Sequence, residues 1–418
     1  MSDSKKLGIL TVGMGAVSTT LYAGVEAARR GLTPGIGSLT QMGQLPLLAP
    51  PGTPTQAIRE LLDLAPLEDL VFGGWDLIEK DAYGAAKRAG VLSPADLKKH
   101  AKFLRDIRAM SGVADPRFTT RLEATQLKRE MGKRAQVDAL RADIRAFREA
   151  NDCDRLVVIS CMSVEIYQPP QPVHASLAAF EQGLDADDPA ISPSQLYAYA
   201  VLSEGVPFIN GTPNTIVETT AMHQLAVRSG VPLAGSDFKS GQTYMKTVIA
   251  GALRMRLLGL TGWFSTNILG NRDGLVLEDP AAFEAKRVSK TTVLDDICSA
   301  EEQPALYSDI EHLVKINFFG PRGDAKESWD SIDLFGWMGY EMQLKVNFQC
   351  RDSILAAPLA LDLVLLTDLA ARRGDKGVLA WLAFYFKTPA KGGQKDPGNN
   401  PAVQLGILER AMRRLARR

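Results

Sequence analysis

The chain is poor in the residues that build metal and nucleophile sites. Its 418 residues include only four cysteines and four histidines. Cys153, Cys161, Cys298 and Cys350 are widely spaced and form no C-x-x-C pair. That argues against a zinc knuckle, an iron–sulfur site or a disulfide scaffold, and each is expected as a buried thiol. His100, His174, His223 and His312 include no two at ligand spacing. A histidine metal site or a Ser-His-Asp triad is therefore not expected, and no metal ligands are assigned. Proton chemistry, if present, falls to lysines and carboxylates.

Net charge is missing as well, because 48 Lys and Arg balance 48 Asp and Glu. With no field to hold a polyanion, neither nucleic acid nor an anionic membrane is an expected partner. No stretch reaches the roughly 18 uninterrupted apolar residues of a membrane span. The opening Met1-Ser2-Asp3-Ser4-Lys5-Lys6 lacks a signal-peptide cleavage pattern, and a cytoplasmic protein is the plain expectation. The length suggests two or three modules.

What is present begins with Leu7-Gly8-Ile9-Leu10-Thr11-Val12, an apolar strand, then Gly13-Met14-Gly15-Ala16-Val17 and a helical stretch to about Arg30. Strand, glycine turn and helix form a dinucleotide-binding opening: glycines let the backbone approach a pyrophosphate, whose charge meets the helix N-terminus. Ser18 stands where the third glycine of G-x-G-x-x-G would be. An acidic residue for the ribose is usual about 20 residues further on. No Asp or Glu occurs between Ala27 and Arg59, and the next strand-like run, Asp69–Asp76, puts Asp76 at its carboxyl end. Asp76 takes the ribose role or caps a helix starting at Leu77.

Charged helices are expected from about Ser93 to Ala150, and an exposed loop from Asp185 to Ser194. Strands return at Leu156–Ser160, Val206–Asn210 and Pro232–Gly235, with a helix near Gln195–Leu202. This alternation implies a doubly wound parallel α/β sheet, Rossmann-like, over residues 1–245. Beyond it, Val314–Phe318 and Gln343–Phe348 alternate apolar and polar, the pattern of a sheet with one covered face. A second, α+β domain over 246–360 is expected, with helices at about Thr243–Leu258 and Ser353–Arg373. Its half-open sheet would suit subunit packing. A segment over 361–418 is expected to pack back on the first domain.

Several short segments concentrate functional groups. Ser236-Asp237-Phe238-Lys239-Ser240-Gly241-Gln242-Thr243, between strand and helix, presents an anion cradle or a capping turn. Asn267–Gly274 reads as a polar turn. Lys286 and Lys290 share one helical face, so an anion sits between them or the face is solvated. Lys387 follows the apolar Leu382–Phe386; desolvated it would act as a base near neutrality, although snorkelling to the surface is equally open.

Taken together, these segments resemble the myo-inositol-1-phosphate synthase family over nearly the whole chain. Glu204-Gly205-Val206-Pro207-Phe208-Ile209-Asn210-Gly211-Thr212-Pro213 resembles the family's E-G-V-P-Y-I-N-G-S-P, and Lys239–Thr243 its K-S-G-Q-T. Asn267–Gly274 resembles N-H-L-G-N-N-D-G, and Asp352-Ser353 through Pro358-Leu359 resembles D-S-L-L-A-x-P-L. Ala16 and Thr19 stand where many members have glycine, Ile268 replaces a His and Arg272 an Asn. Asn210–Thr215 is one residue short.

The resemblance implies a homotetrameric enzyme that uses NAD catalytically to isomerise glucose 6-phosphate. C5 is oxidised, the C6 hydrogen becomes acidic, the enolate closes on the C1 aldehyde, and the hydride returns. It implies Lys286 and Lys387 at the sugar carbons, with Lys290 and Lys326 assisting a phosphate cradle of Ser240, Gly241 and Gln242. Asp324 would orient Lys326, and Asp237, Asp273 and Asp352 would lie near the nicotinamide or the lysines. Asn267 and Asn271 would bind hydroxyls or an ion near the pyrophosphate. Gly13, Gly15, Ala16, Val17, Asn210 and Gly211 would join Asp76 around the cofactor. Whether a monovalent or divalent cation takes part is open. An alternative is a dehydrogenase or isomerase of another phosphorylated sugar or polyol, told apart by net NADH accumulation. A non-catalytic NAD-binding oligomer is a third reading, which loss of a lysine would have favoured.

Overall fold

The computed structural model describes residues 5–119, 123–128, 131–276, 293–393 and 398–417. Strand β1 (Leu7–Val12) is buried at every position, as a strand covered on both faces must be. It runs through Gly13 into α1 (Ala16–Arg29), and the chain then forms β2 (Leu70–Asp76), α2 (Ala82–Ala89), β3 (Ala109–Ser111) and α3 (Lys133–Ala150). Next come β4 (Arg155–Ser160), α4 (Pro193–Ser203), β5 (Phe208–Asn210), β6 (Pro232–Gly235) and α5 (Gly241–Met255). The strand order is β3-β2-β1-β4-β5-β6, extended by β11 (Gly377–Val378) beside β6, and all neighbours are parallel. The order reverses between β1 and β4, where a doubly wound sheet opens its binding crevice.

The strands and long helices expected from the hydrophobic pattern are present, but the expected exposed loop Asp185–Ser194 is exposed only in its first part: Ile191–Ser194 are buried, and Pro193 and Ser194 open α4, because its N-terminal turn packs into the core. The expected helical region after Ser93 also contains β3, a three-residue edge strand paired to β2 through Gly74–Ala109 and Asp76–Ser111. Three residues are too few to show a period.

After β7 (Gly259–Leu269) and the short α6 (Arg272–Val276), the chain forms β8 (Glu311–Phe318), β9 (Ala325–Phe335) and β10 (Glu341–Arg351). The second sheet has the order β8-β7-β9-β10, with β8 parallel to β7 and the other pairs antiparallel. One face is covered: Trp263, Ile332 and Leu334 pack with Ala250 and Leu253 of α5 and with Val293, Leu294 and Ile297. The opposite face carries Trp329 and Leu313, each 42% exposed, and the rings of Trp329 and Phe264 lie 5.9 Å apart.

Helix α7 (Asp352–Arg372) follows β10 directly and runs unbroken through residue 360, where the expected domain boundary falls. It packs on α1 and β4 in the first core, with Leu361, Leu365 and Leu369 beside Leu7, Ile9 and Tyr22. An 18-residue window of mean hydropathy 1.9 makes it long and apolar enough to cross a membrane, but 72% of that window is buried inside the protein. A helix apolar on all sides is a core helix when others surround it. Its buried Asp362 accepts hydrogen bonds from Ser38 Oγ (2.5 Å), Thr40 Oγ1 (2.6 Å) and the amides of Leu39 and Thr40, pinning that loop to the core. The last helix, α8 (Pro401–Ala416), adds Leu408, Met412 and Leu415 to the same core.

Candidate active site

A cleft of about 770 Å³ opens at the carboxyl ends of β1, β2 and β4 and extends to the second sheet. At one end lies the glycine loop. Gly13 has φ +86°, and a Cβ there would stand 2.8 Å from the backbone of Met162, so only glycine fits. Ser18, in the third-glycine position, donates its hydroxyl to Gly13 O at 2.6 Å and closes the loop. No side chain caps α1, and open space lies in front of Gly15. The first amides of α1, Ala16 and Val17 among them, therefore have no intrahelical acceptor and border the cleft. That is a fit for the pyrophosphate of a dinucleotide.

Asp76 borders the same end. Its Oδ2 accepts from the Met14 amide at 2.9 Å and its Oδ1 from the Ile78 amide at 3.0 Å, tying the loop to β2. Each oxygen keeps a further lone pair. The helix-cap reading is overturned: the next helix starts at Ala82 and is capped by Asp81, whose Oδ1 accepts from Gly84 N at 2.7 Å.

At the other end two ammonium groups meet two carboxylates. Lys387 Nζ lies 3.0 Å from Asp237 Oδ1, and both residues are buried. Their backbones hold them there: Lys387 N donates to Asp237 O, Lys239 N to Tyr385 O, and Asp237 N to Thr212 O. Asp237 has φ +62°, a strained conformation for a residue with a side chain, sustained by these contacts on both flanks. Lys326 Nζ donates to Asp352 Oδ2 at 2.7 Å, and Asp352 opens α7, where the helix dipole favours a carboxylate. Snorkelling of Lys387 is thus ruled out.

Asp324 is buried at the cleft wall, near Asn271 and with Arg351 Nε at 3.4 Å; burial pushes its carboxyl pKa up. Asp352 accepts a hydrogen bond from the Lys326 ammonium. Asn271 lines the cleft and accepts from the Gly274 amide.

Three expected site residues turn inward. Asn267 Nδ2 donates to Gln242 Oε1 at 2.6 Å, and Gln242 Nε2 donates to Asp330 Oδ2 at 3.0 Å. Trp263 Nε1 and Ser265 Oγ complete that buried carboxylate's shell. Asn210 Oδ1 accepts from Thr212, while its Nδ2 donates to Asn214 O and Ser236 Oγ, so it shapes the loop. From the K-S-G-Q-T turn only Ser240 borders the cleft. Gly241 and Gly211 matter for what they admit: a Cβ on Gly241 would lie 2.3 Å from Asp352 Oδ1, and one on Gly211 2.2 Å from the Phe238 ring.

Lys286 and Lys290 lie outside the described residues. Asp273 belongs to α6, and its side chain lies outside them too. Among the described residues, no group of three or more His, Cys, Asp or Glu stands together as a metal site. Residues not singled out from sequence also line the cleft: Lys80, Arg88, Cys161, Ile316 and Phe318. The position of Cys161 just past β4, at the switch point, was the available signal. Burial pushes its thiol up to about 12, so it is a neutral wall and not a nucleophile.

The family model described as myo-inositol-1-phosphate synthase matches residues 7–413. The chain belongs to that family. It is 46% identical to inositol-3-phosphate synthase 1 of Bacteroides thetaiotaomicron over 98% of this chain and 95% of that protein. It is 35% identical to inositol-3-phosphate synthase 1 of rice, Oryza sativa subsp. japonica, over 97% of this chain and 84% of that one. Among solved structures, an inositol-3-phosphate synthase from Caenorhabditis elegans superposes with TM-score 0.92 at 26% identity, covering 99% of this chain and 86% of that chain. A myo-inositol-1-phosphate synthase-related protein from Thermotoga maritima shares the fold at TM-score 0.76 and 22% identity, covering 97% and 98%. The cleft of this family member thus joins an NAD-binding sheet to a lysine-bearing second sheet.

Proposed function

We propose that this chain is an inositol-3-phosphate synthase, converting D-glucose 6-phosphate to 1D-myo-inositol 3-phosphate by oxidation, enolisation, aldol closure and re-reduction. The observation that carries the reading is the convergence of two lysine–carboxylate pairs, Lys387–Asp237 and Lys326–Asp352, on a cleft whose far end is a dinucleotide loop. Bound NAD supplies the hydride acceptor and later its donor.

The open amides of α1 would hold its pyrophosphate, with Asp76 at the ribose. Lys387, in a dry setting, would give a proton to the oxygen at the reacting carbon and hold the negative charge that develops there. Asp237 keeps that ammonium aimed and neutralised between turnovers. Lys326, kept in place by Asp352, would meet the phosphate or the developing oxyanion. Ser240, at the start of α5, would contribute to the phosphate site, with Lys286 and Lys290 as further cations. Gly241 and Gln242 serve that turn by packing. Asp324 and Asn271 would shape the wall beside Lys326, and Asp273 would join this wall.

The exposed face of the second sheet, with Trp329, Phe264 and Leu313, would suit a second copy of the chain, in keeping with a homotetramer working in the cytoplasm. Incubation with glucose 6-phosphate and NAD, followed by phosphorus and carbon NMR, tests the activity. A cyclised polyol phosphate without net NADH supports it. Stoichiometric NADH with an open-chain product would instead establish a dehydrogenase of phosphorylated sugars.

A further inference from the structure

Glu218 does not border the cleft, yet its side chain reaches the turn that carries Asp237. Ser236 Oγ donates to Glu218 Oε1 at 2.9 Å, and the Ile216 amide donates to Glu218 Oε2 at 3.0 Å. The same Ser236 hydroxyl accepts from Asn210 Nδ2 at 3.1 Å. Ser236 is fully buried, so its hydroxyl depends on these protein partners.

The placement of Ser236 governs that of Asp237. The Ser236 amide donates to Thr388 O at 2.9 Å and its carbonyl accepts from the Thr388 amide at 3.3 Å, one residue along from the Lys387–Asp237 pair. On the other flank the Asp237 amide donates to Thr212 O, and the Thr212 amide and hydroxyl both donate to Asn210 Oδ1. Asn210 therefore serves both flanks of Asp237, and Glu218 anchors one of them from outside the cleft. Asp237, at φ +62°, needs such holds, because a residue keeps a sparsely populated backbone conformation only where its surroundings over-determine it.

We propose that Glu218 is a positioning residue: through Ser236, and together with Asn210, it fixes the turn that presents Asp237 to Lys387. The inference rests on the reading of the Lys387–Asp237 pair as the proton-transferring centre. Neither Glu218 nor Ser236 borders the cleft, so loosening their contact displaces the pair without removing a contact to sugar phosphate or cofactor. Small misplacements of reacting groups lower the rate steeply even when their origin is remote from the chemistry.

The test is steady-state kinetics with glucose 6-phosphate and calorimetric NAD titration of the full chain. The variants are Glu218→Leu, Glu218→Gln, Ser236→Ala and Asp237→Asn, alone and combined. Glu218→Leu should lower kcat about tenfold, with KM and NAD affinity held within about twofold. Ser236→Ala removes the same hydrogen bond from its other end and should match it, and the two together should cost no more than either alone. Glu218→Gln should recover most of the rate, since its oxygen can accept from the Ile216 amide while its NH2 donates to the Ser236 hydroxyl. In an Asp237→Asn background, Glu218→Leu should lower kcat by less than about twofold more. If Glu218→Leu does not fold, Ser236→Ala decides. Wild-type kcat in the folded Glu218→Leu and Ser236→Ala variants would overturn the proposal, as would an equal loss of NAD affinity or a loss that multiplies with that of Asp237→Asn. Full turnover by Asp237→Asn would instead remove the reading of the pair on which it rests.

Discussion

Gly241 packs against Asp352, a residue of the cleft wall: a Cβ on Gly241 would lie 2.3 Å from Asp352 Oδ1. Gly241 also has φ +55°, so any side chain is strained there as well as crowded. Gly241→Ala should push Asp352 from Lys326 and lower kcat at least tenfold, while NAD affinity stays within a few-fold. Steady-state kinetics and calorimetric NAD titration check both parts.

Asp237→Asn leaves the Lys387 ammonium buried without its counter-charge. Breaking a buried pair in this way costs on the order of 3–5 kcal/mol, less whatever Lys387 regains by losing its proton. The expected outcome is a clear drop in unfolding free energy and at least a hundredfold loss of turnover, measured by urea denaturation and by product formation.

Asp76→Ala removes the acceptor for the Met14 and Ile78 amides and loosens the glycine loop. NAD should bind about tenfold more weakly, in the range of one charge-assisted hydrogen bond. Unchanged NAD affinity would move the ribose role elsewhere.

Burial raises the Asp324 carboxyl above its ordinary 3.8. A carboxyl with a raised folded-state pKa favours folding below the unfolded value, and that contribution is lost as pH rises through the folded one. Wild-type stability should therefore fall, relative to Asp324→Asn, between about pH 4 and neutrality. Urea unfolding at several pH values reads this directly, and parallel curves would contradict it.

Trp329→Lys puts a charge on the uncovered face of the second sheet. The proposed homotetramer should then dissociate toward smaller species in analytical ultracentrifugation, with the monomer's fold retained by circular dichroism; a sedimentation profile unchanged from the wild type would contradict packing through this face.

Much of this was legible in the sequence. The buried run Leu7–Val12, the Gly13 turn and the strands ending at Ser160, Asn210 and Gly235 announce the first sheet, because apolar strands and glycine turns leave local signals. Asp237, Lys326, Asp352 and Lys387 do come together at the cleft. What could not be read was which way a polar side chain in a good motif points. Gln242 and Asn267 sit beside cleft residues yet turn inward, Gln242 to Asp330 and Asn267 to Gln242, an outcome set by helix phase and by the pairing of Asn267 with Ser328 across β7 and β9. The partner of Lys326 likewise depends on where α7 begins, and the hold of Gln404 on Lys239 joins positions 165 residues apart.

The central claim is that a hydride is borrowed from C5 of the sugar phosphate and returned to the same carbon while the lysines steer ring closure. Turnover of glucose 6-phosphate carrying deuterium at C5, followed by NMR of the product, tests it most directly. The account predicts a cyclic inositol phosphate that retains the deuterium, with no net reduced cofactor. Deuterium lost to water, or carried off on released NADH beside an uncyclised product, would contradict it.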